Sequence, residues 1–203
     1  MSTTQAIDWE SKYVAGSTGW ERPELHPAFR AWHAAGAFAA PGRVLVPGAG
    51  RSHEPLALAE AGWDVTVVDV APSAVAVQQA RLAPEGGVPM GRAPMGRALL
   101  ADLFAWTPEA RFDAIYDQTC LCALPPPLWP DYAARLADWL RPDGRLFALF
   151  MQTGGPGGPP FDCDLAVMRR LFPPERWEWP EALQAPVPHP SSREEQPALL
   201  RRR

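Results

Sequence analysis

The chain has 203 residues, enough for one domain, and its 47% hydrophobic and 21% charged residues allow a buried core, which argues against global disorder. Its 25 Pro and 16 Gly indicate many loops around a folded centre. The formal net charge of -4 gives no electrostatic reason to bind a phosphate backbone, so we expect no nucleic-acid partner.

The composition favours neither membrane insertion nor export. No apolar run approaches the roughly 18 residues that span a bilayer, and the N-terminus, with Asp8 and Glu10, does not resemble a signal peptide. Cys120, Cys122 and Cys163 lack Cys-x-x-Cys spacing and nearby His residues, which argues against a metal site. We therefore expect reduced thiols in a cytoplasmic protein.

Short apolar strands alternate with helices after residue 40. Strands are predicted at 43–46, 64–70, 99–101, 112–116 and 145–151, and helices after 52, from 72, at 130–140 and at 164–171. Ser52 is expected to cap the first of these helices, and Pro142-Asp143-Gly144 to form a turn into the fifth strand. The alternation predicts an α/β fold, a doubly wound, mostly parallel sheet with helices on both faces.

We expect a single domain in three parts: an aromatic, helical N-terminal cap (1–40), a cofactor-binding core (41–151), and a substrate-side loop that completes the sheet (152–203). A five-residue duplication at 89–98 predicts an expanded surface loop, because repeat architectures need periods of 20–50 residues. Pro197 cannot donate to a strand ladder, so we expect it to interrupt the C-terminal strand around 198–200 and to fit only at an edge or a strand end.

The glycine-containing segment after the first predicted strand is of a type that lets the backbone approach a ligand closely. Gly48 and Gly50 form a Gly-x-Gly turn before a helix, and Asp69 ends the next strand, where ribose hydroxyls are commonly bound. His53 occupies the third glycine position of the dinucleotide fingerprint, which disfavours NAD and FAD. The pattern predicts a nucleoside without phosphates, of which S-adenosylmethionine is the common example.

The end of the third strand supports a nucleoside site. Asp102 is placed to accept from the adenine amino group, and Leu103 and Phe104 to cover the ring. Two alternatives remain open: Asp69 only caps a helix or ends its strand, and Asp102 only begins a turn.

Four motifs occur in chain order between residues 9 and 172. They are Trp9-x-x-Lys12-Tyr13-x-x-Gly16-x-Thr18-x-Trp20; Phe112-Asp113-Ala114-Ile115-Tyr116-Asp117 with Cys122-Ala123-Leu124-Pro125-Pro126; Leu140-Arg141-Pro142-Asp143-Gly144; and Gly157-Gly158-Pro159-Pro160-Phe161. The third resembles the turn before the fifth strand of class I methyltransferases. The others resemble the thiopurine S-methyltransferase family, which also includes halide and thiol methyltransferases.

The resemblance implies a Rossmann-like class I methyltransferase that uses S-adenosylmethionine. It implies that the cofactor is contacted by Trp9, Trp20, Gly48, Gly50, Asp69, Leu103, Phe104 and Gln118; the position of Asp102 after the third strand adds that residue to the set. On the acceptor side we expect Trp20, Gln118, Cys122 and Phe161. For Trp9, Trp20 and Cys122, packing in the core is the alternative role.

Methyl transfer to a soft nucleophile is an in-line displacement that needs alignment and a dry, aromatic pocket more than an acid or a base. No catalytic residue is therefore expected, only positioning by Trp20 and Gln118. The leading hypothesis is transfer to a small thiol, thiopurine, halide, thiocyanate or selenium or tellurium anion. The sequence does not indicate which acceptor is physiological, nor the oligomeric state.

Two other functions remain open. A class I O- or N-methyltransferase acting on a small metabolite would need a general base, for which the candidates are His26, His33, His53 and His189. A non-catalytic binding module that kept the fold is the third hypothesis.

Overall fold

The computed structural model describes residues 7–83 and 96–203. Eight strands in these residues form one sheet: β1 (Arg43–Pro47), β2 (Asp64–Asp69), β3 (Gly96–Leu100), β4 (Phe112–Gln118), β5 (Leu140–Gln152), β6 (Trp177–Glu178), β7 (Val187–His189) and β8 (Arg193–Arg202). Their order is β3-β2-β1-β4-β5-β8-β6, and β7 also pairs with β8. The first five strands are parallel and β8 runs antiparallel to β5. The predicted mostly parallel sheet is confirmed.

Helices cover both faces of the sheet. They are α1 (Trp9–Val14), α2 (Pro27–Ala34), α3 (Glu54–Glu60), α4 (Pro72–Leu82), α5 (Cys120–Ala123), α6 (Trp129–Trp139) and α7 (Leu165–Leu171). The alternation of side chains along β1 divides the core. Leu45 belongs to the cluster that contains residues of α6 and α7, whereas Val44 and Val46 belong to the cluster with residues of α2, α3 and α4.

Two local predictions were wrong. Ser52 does not cap α3: the helix begins at Glu54, with Pro55 in its first turn, and the hydroxyl of Ser52 has no hydrogen-bond partner in the described residues. Proline favours the first turn because its missing N–H is not needed there. The third strand lies at Gly96–Leu100 instead of 99–101, and Gly96 allows this start because a Cβ there would lie 3.0 Å from the Val65 carbonyl oxygen.

The turn predicted at residues 142–144 is enclosed within β5. Leu140 pairs with Phe112 and Arg145 with Ala114, so the intervening residues bulge out of the ladder. Asp143 has a φ of 62° within this bulge.

The predicted interruption at Pro197 is also wrong, because β8 continues through it. Pro197 pairs with Leu149 of β5. On the opposite edge of β8, β7 reaches only residues 193–195 and β6 only residues 201–202. Residue 197 therefore lies on an unpaired stretch of this edge, as expected for proline, and neither short strand needs an N–H there. Residues 89–95 of the duplication lie outside the described part of the chain. The surface loop predicted for 89–98 is wrong for its last three residues, because Gly96, Arg97 and Ala98 belong to β3 and pair with β2.

Candidate active site

A cavity of about 660 Å³ opens beside the carboxyl ends of β1, β2 and β4. The strand order reverses direction between β1 and β4, and such switch points in parallel sheets are where ligands bind. The cap, the turn after β1, and the loops after β3, β4 and β5 contribute to the walls. Most of the segments that the sequence indicated as functional therefore line this one cavity.

The glycine turn needs both of its glycines. Gly48 and Gly50 have φ angles of 53° and 54°, which favour residues without a Cβ. A Cβ at Gly48 would lie 2.8 Å from the sulfur of Cys120, and one at Gly50 would collide with the hydroxyl of Tyr13. Side chains at either position would thus displace the wall of the cavity.

Asp69 ties the glycine turn to the end of β2. Its Oδ2 accepts from the N–H of Gly50 at 2.8 Å and its Oδ1 from the N–H of Ala71 at 2.9 Å. Burial raises the pKa of Asp69 above its usual value. Asp69 lines the cavity, and each carboxylate oxygen retains a lone pair for a ligand hydroxyl. The structural and ligand-binding roles are compatible.

Two side chains of α4 hold the same turn from behind. Gln78 donates to the carbonyls of Gly50 and Ser52 at 3.0 and 2.9 Å, and Arg81 donates to those of Arg51 and Ser52. Neither residue was predicted from the sequence. The available signal was the spacing of Gln78, which shares a helix face with Ala74, Val75 and Leu82, where a polar side chain requires a partner.

The loop after β3 lies at one end of the cavity. Asp102, Leu103 and Phe104 all line it. Asp102 Oδ1 accepts from the N–H of Phe104 at 2.8 Å, so this residue does form the turn that was the alternative interpretation. Its Oδ2 has no hydrogen-bond partner in the described residues and is available for a ligand.

The cap contributes an aromatic cluster to the cavity. Trp9, Tyr13 and Trp20 all line it, and Trp20 makes edge contacts with Trp9 and Tyr13 at centroid distances of 5.6 and 5.8 Å. Glu10 docks α1 onto α4 by accepting from the N–H and hydroxyl of Ser73. Trp9 and Trp20 thus lie at the cavity and also pack against the body of the protein.

The end of β4 forms another wall. Gln118, Thr119 and Cys122 line the cavity there. The hydroxyl of Tyr116 donates to Gln118 Oε1 at 3.0 Å, which leaves the Gln118 amide nitrogen as an unpaired donor within the described residues. Thr119 has a φ of 63°, an uncommon conformation for a β-branched residue and one associated with functional sites.

Cys122 lines the cavity as a protonated thiol. Burial raises its pKa well above the usual value, and its sulfur donates to the Thr119 carbonyl at 3.1 Å. Phe161 does not reach the cavity: its N–H bonds the Cys122 carbonyl at 2.7 Å and its ring packs beside Gly158. Pro159 and Pro160 line the cavity in its place, because the backbone hydrogen bond turns the chain before residue 161.

The four histidines fall into two groups. His26 and His33 do not line the cavity, whereas His53 and His189 do. His189 Nδ1 accepts from the N–H of Ser191 at 3.1 Å, and burial lowers the pKa of His189. A neutral imidazole therefore lies in the cavity wall.

His26 belongs to a buried network that links the cap to β8. Its Nδ1 accepts from the N–H of Ala28, so its Nε2 carries the proton that it donates to Glu195 at 2.9 Å. Arg22 donates to Glu195 and to the carbonyl of Pro188. Burial raises the pKa of Glu195, but His26 and Arg22 together bring it below its usual value. His26 is thus a structural residue.

The described residues contain neither a cluster of metal ligands nor a membrane-spanning helix. Residues 7–83 and 96–203 contain no group of three His, Cys, Asp or Glu side chains placed to hold a metal ion. No helix in these ranges has the length and hydropathy needed to cross a membrane.

Comparison with known proteins identifies the family. A family model described as thiopurine S-methyltransferase matches residues 4–201. The chain is 29% identical to a probable thiol methyltransferase 2 of Arabidopsis thaliana, over 88% of this chain and 76% of that protein. It is 31% identical to a thiopurine S-methyltransferase of Pseudomonas fluorescens, over 82% and 80%. A Burkholderia thailandensis 1,6-didemethyltoxoflavin-N1-methyltransferase has the same fold, with a TM-score of 0.74 at 24% identity, over 100% and 93% of the two chains.

Proposed function

Because this chain belongs to the thiopurine S-methyltransferase family and is an S-adenosylmethionine-dependent methyltransferase, we propose that its acceptor is a small soft nucleophile. The class comprises thiols, thiopurines, halides, thiocyanate, and selenium and tellurium anions. One observation carries this proposal: the wall formed by the end of β4 offers a hydrogen-bond donor, Gln118, and a protonated thiol, Cys122, and no base.

The strand order supports one arrangement of the cofactor along the cavity. Leu103 and Phe104, after β3, cover the adenine, and Asp69, at the end of β2, accepts from the ribose hydroxyls. The methionine part of the cofactor then lies over β1 and β4, beside the glycine turn and the cap. The buried carboxylate of Asp69 suits a diol and would repel a phosphate, so the residues fit S-adenosylmethionine.

The cofactor supplies a methyl group bonded to a positively charged sulfur. Trp9, Tyr13 and Trp20 provide aromatic faces close to this charge, an attraction worth about 2 kcal/mol when water is excluded. The Gln118 amide nitrogen donates to the incoming nucleophile and aligns it. Such alignment supplies about 7–11 kcal/mol of barrier reduction in well-oriented reactions.

A soft acceptor needs no proton transfer within this cavity. A thiol has a pKa of about 8.5 in water and is partly ionised near neutrality, and halides and thiocyanate carry no proton to remove. Pro159, Pro160 and Met151 make the acceptor wall largely apolar, which favours a weakly hydrated anion over a strongly hydrated one.

One observation favours the O- or N-methyltransferase as a second candidate. His189 and Glu54 both line the cavity, and burial keeps His189 neutral and so able to accept a proton. A general base contributes about 10²–10⁴-fold to rate. We expect His189→Gln to change turnover less than tenfold, with exposed His33→Gln as the matched control. A larger loss at His189 alone would favour the second candidate.

The acceptor class is tested by turnover on a panel. Purified protein is assayed with S-adenosylmethionine and iodide, thiocyanate, hydrosulfide, an aryl thiol, a thiopurine, a catechol and a primary amine, each at equal concentration. We expect methylated product from the five soft acceptors and at least 100-fold less from the last two. Preferred methylation of the catechol or amine would contradict the proposal, and cofactor binding without any turnover would favour the binding module.

We also propose that the protein acts in the cytoplasm. Cys120, Cys122 and Cys163 are buried free thiols, which suits a reducing compartment. Fractionation of cells with detection of the chain in the soluble cytoplasmic fraction checks this assignment.

A further inference from the structure

Glu54 places a carboxylate in the wall of the cavity. It is the first residue of α3, it lines the cavity, and only 1% of its surface is exposed. Its Oε1 accepts from the backbone N–H of His26 at 2.7 Å. Glu195, the other buried glutamate in the described residues, binds the side chains of His26 and Arg22. Glu54 has no charged partner in that part of the chain, so no ion pair neutralises its carboxylate.

The second oxygen of Glu54 is open to the cavity. Oε2 has no hydrogen-bond partner in the described residues, and it is not one of the partnerless atoms that are sealed from solvent there. Because Glu54 lines the cavity and is otherwise buried, the surface that Oε2 keeps faces the cavity. Native structures give nearly every buried polar group a partner, and a buried charge without one is costly. A ligand group that carries an N–H would supply this partner.

Glu54 lies beside the wall formed by the end of β4. The hydroxyl of Tyr116 donates to Gln118 Oε1 at 3.0 Å. Burial and then the charge of Glu54 raise the pKa of Tyr116 well above its usual value, which requires the carboxylate to lie near that hydroxyl. Glu54 and Gln118 thus face the β1 and β4 side of the cavity, whereas the loop after β3 lies beyond β2.

We propose that Glu54 is a specificity-determining residue of the acceptor site, and that the preferred acceptor is a small aryl or heteroaryl thiol with an N–H group next to the carbon that bears the sulfur. The Gln118 amide donates to the sulfur, and Glu54 Oε2 accepts from the N–H. An amino group keeps its N–H bonds when the neighbouring sulfur is methylated, so this contact needs no proton transfer. The inference rests on the proposed function and narrows its class of soft acceptors.

The same carboxylate acts against acceptors that are bare anions. A unit negative charge a few ångströms away repels iodide or thiocyanate, and the repulsion is strong in a site that is partly shielded from water. A thiol with a neighbouring N–H recovers this cost through its hydrogen bond to Glu54. Removal of the charge should therefore change the two kinds of acceptor in opposite directions.

Glu54→Gln tests the proposal with two isomeric acceptors. Its amide oxygen can still accept from the His26 N–H, while an amide nitrogen that donates replaces Oε2. 2-Aminothiophenol carries its N–H groups beside the sulfur, and 4-aminothiophenol carries them across the ring. We expect the ratio of kcat/KM for the 2-isomer to that for the 4-isomer to fall about 10- to 100-fold. With iodide, kcat/KM should rise about 3- to 30-fold.

The matched control is Glu60→Gln, which removes the same charge from the exposed end of α3 and should change neither the ratio nor the iodide rate. Binding of S-adenosylhomocysteine to Glu54→Gln should stay within twofold of wild type. A tenfold weaker affinity for that ligand would place Glu54 at the cofactor and overturn the proposal. Equal losses with both isomers and with iodide would assign Glu54 a purely structural role and overturn it as well.

Two further outcomes separate this inference from the function on which it rests. Turnover of both isomers with an unchanged ratio in Glu54→Gln would overturn the role of Glu54 alone. Absence of turnover with every aryl thiol and with iodide would contradict the proposed function, and this inference with it. If the variant does not fold, wild-type protein must favour the 2-isomer at least fivefold, relative to the uncatalysed rates of the two thiols with a methyl sulfonium. Equal preference would overturn the proposal.

Discussion

At the scale of a single residue, Asp69 holds the glycine turn, because its oxygens accept from the N–H groups of Gly50 and Ala71. In the proposed function it also accepts from the ribose hydroxyls. Replacing Asp69 by Ala leaves ribose hydroxyls unpaired, which costs about 1–3 kcal/mol, or roughly 5–150-fold in affinity for S-adenosylhomocysteine. A ligand lacking the 2′-hydroxyl separates this effect from loosening of the turn. Wild-type protein should prefer the intact ribose, and Asp69→Ala should lose that preference. A preference that survives the substitution would refute the ribose contact.

In the proposed mechanism Tyr116 is a positioning residue that acts through Gln118. Its hydroxyl donates to Gln118 Oε1 and so directs the amide nitrogen elsewhere. Tyr116→Phe removes one hydrogen bond of about 0.5–1.5 kcal/mol. We expect turnover with thiol or iodide to fall about 2–12-fold while cofactor affinity stays constant. In a double-mutant cycle with Gln118→Ala, the second change should have no added effect. Additive losses would show that Tyr116 acts independently of Gln118.

At the scale of an element, the cap lines the cavity and docks onto the rest of the protein through two contacts. Glu10 bonds Ser73 at the start of α4, and Arg22 bonds Glu195 of β8. If these contacts and the cofactor close the cap together, hydrogen exchange over residues 9–20 should slow when S-adenosylhomocysteine is added. Glu10→Ala should speed exchange of residues 9–20 in the free protein, and binding of S-adenosylhomocysteine should restore part of the lost protection. Identical protection with and without ligand would make the cap a permanent part of the core.

The sequence predicted β1, the glycine turn and β2, because a run of β-branched and apolar residues followed by glycines or an aspartate is a local pattern typical of a strand and the turn after it. The contacts that complete the site join distant residues. His26 and Glu195 are 169 residues apart, and no periodicity reveals that pairing. Pro197 was misread because its tolerance depends on which neighbouring strands stop short of it. Phe161 was misplaced because its orientation depends on a hydrogen bond to Cys122.

At the scale of the whole molecule, the fold brings donors and aromatic faces together at the switch point of the sheet, and the proposed mechanism requires no base at the end of β4. Burial lowers the pKa of His189 below its ordinary value of about 6.5, so His189 is neutral above pH 7 and cannot produce a basic limb there. Any limb near pH 8 must then come from the acceptor or from another group of the protein.

The pH dependence of kcat/KM with two kinds of acceptor tests the base-free mechanism most directly. With a thiol, the rate should rise with pH and follow the ionisation of that thiol, shifting when a thiol of different pKa is used. With iodide, which does not titrate, the same protein should show a flat profile between pH 7 and 9. A basic limb that persists with iodide, at the same pH for every acceptor, would show that a protein group must lose a proton and would contradict the account.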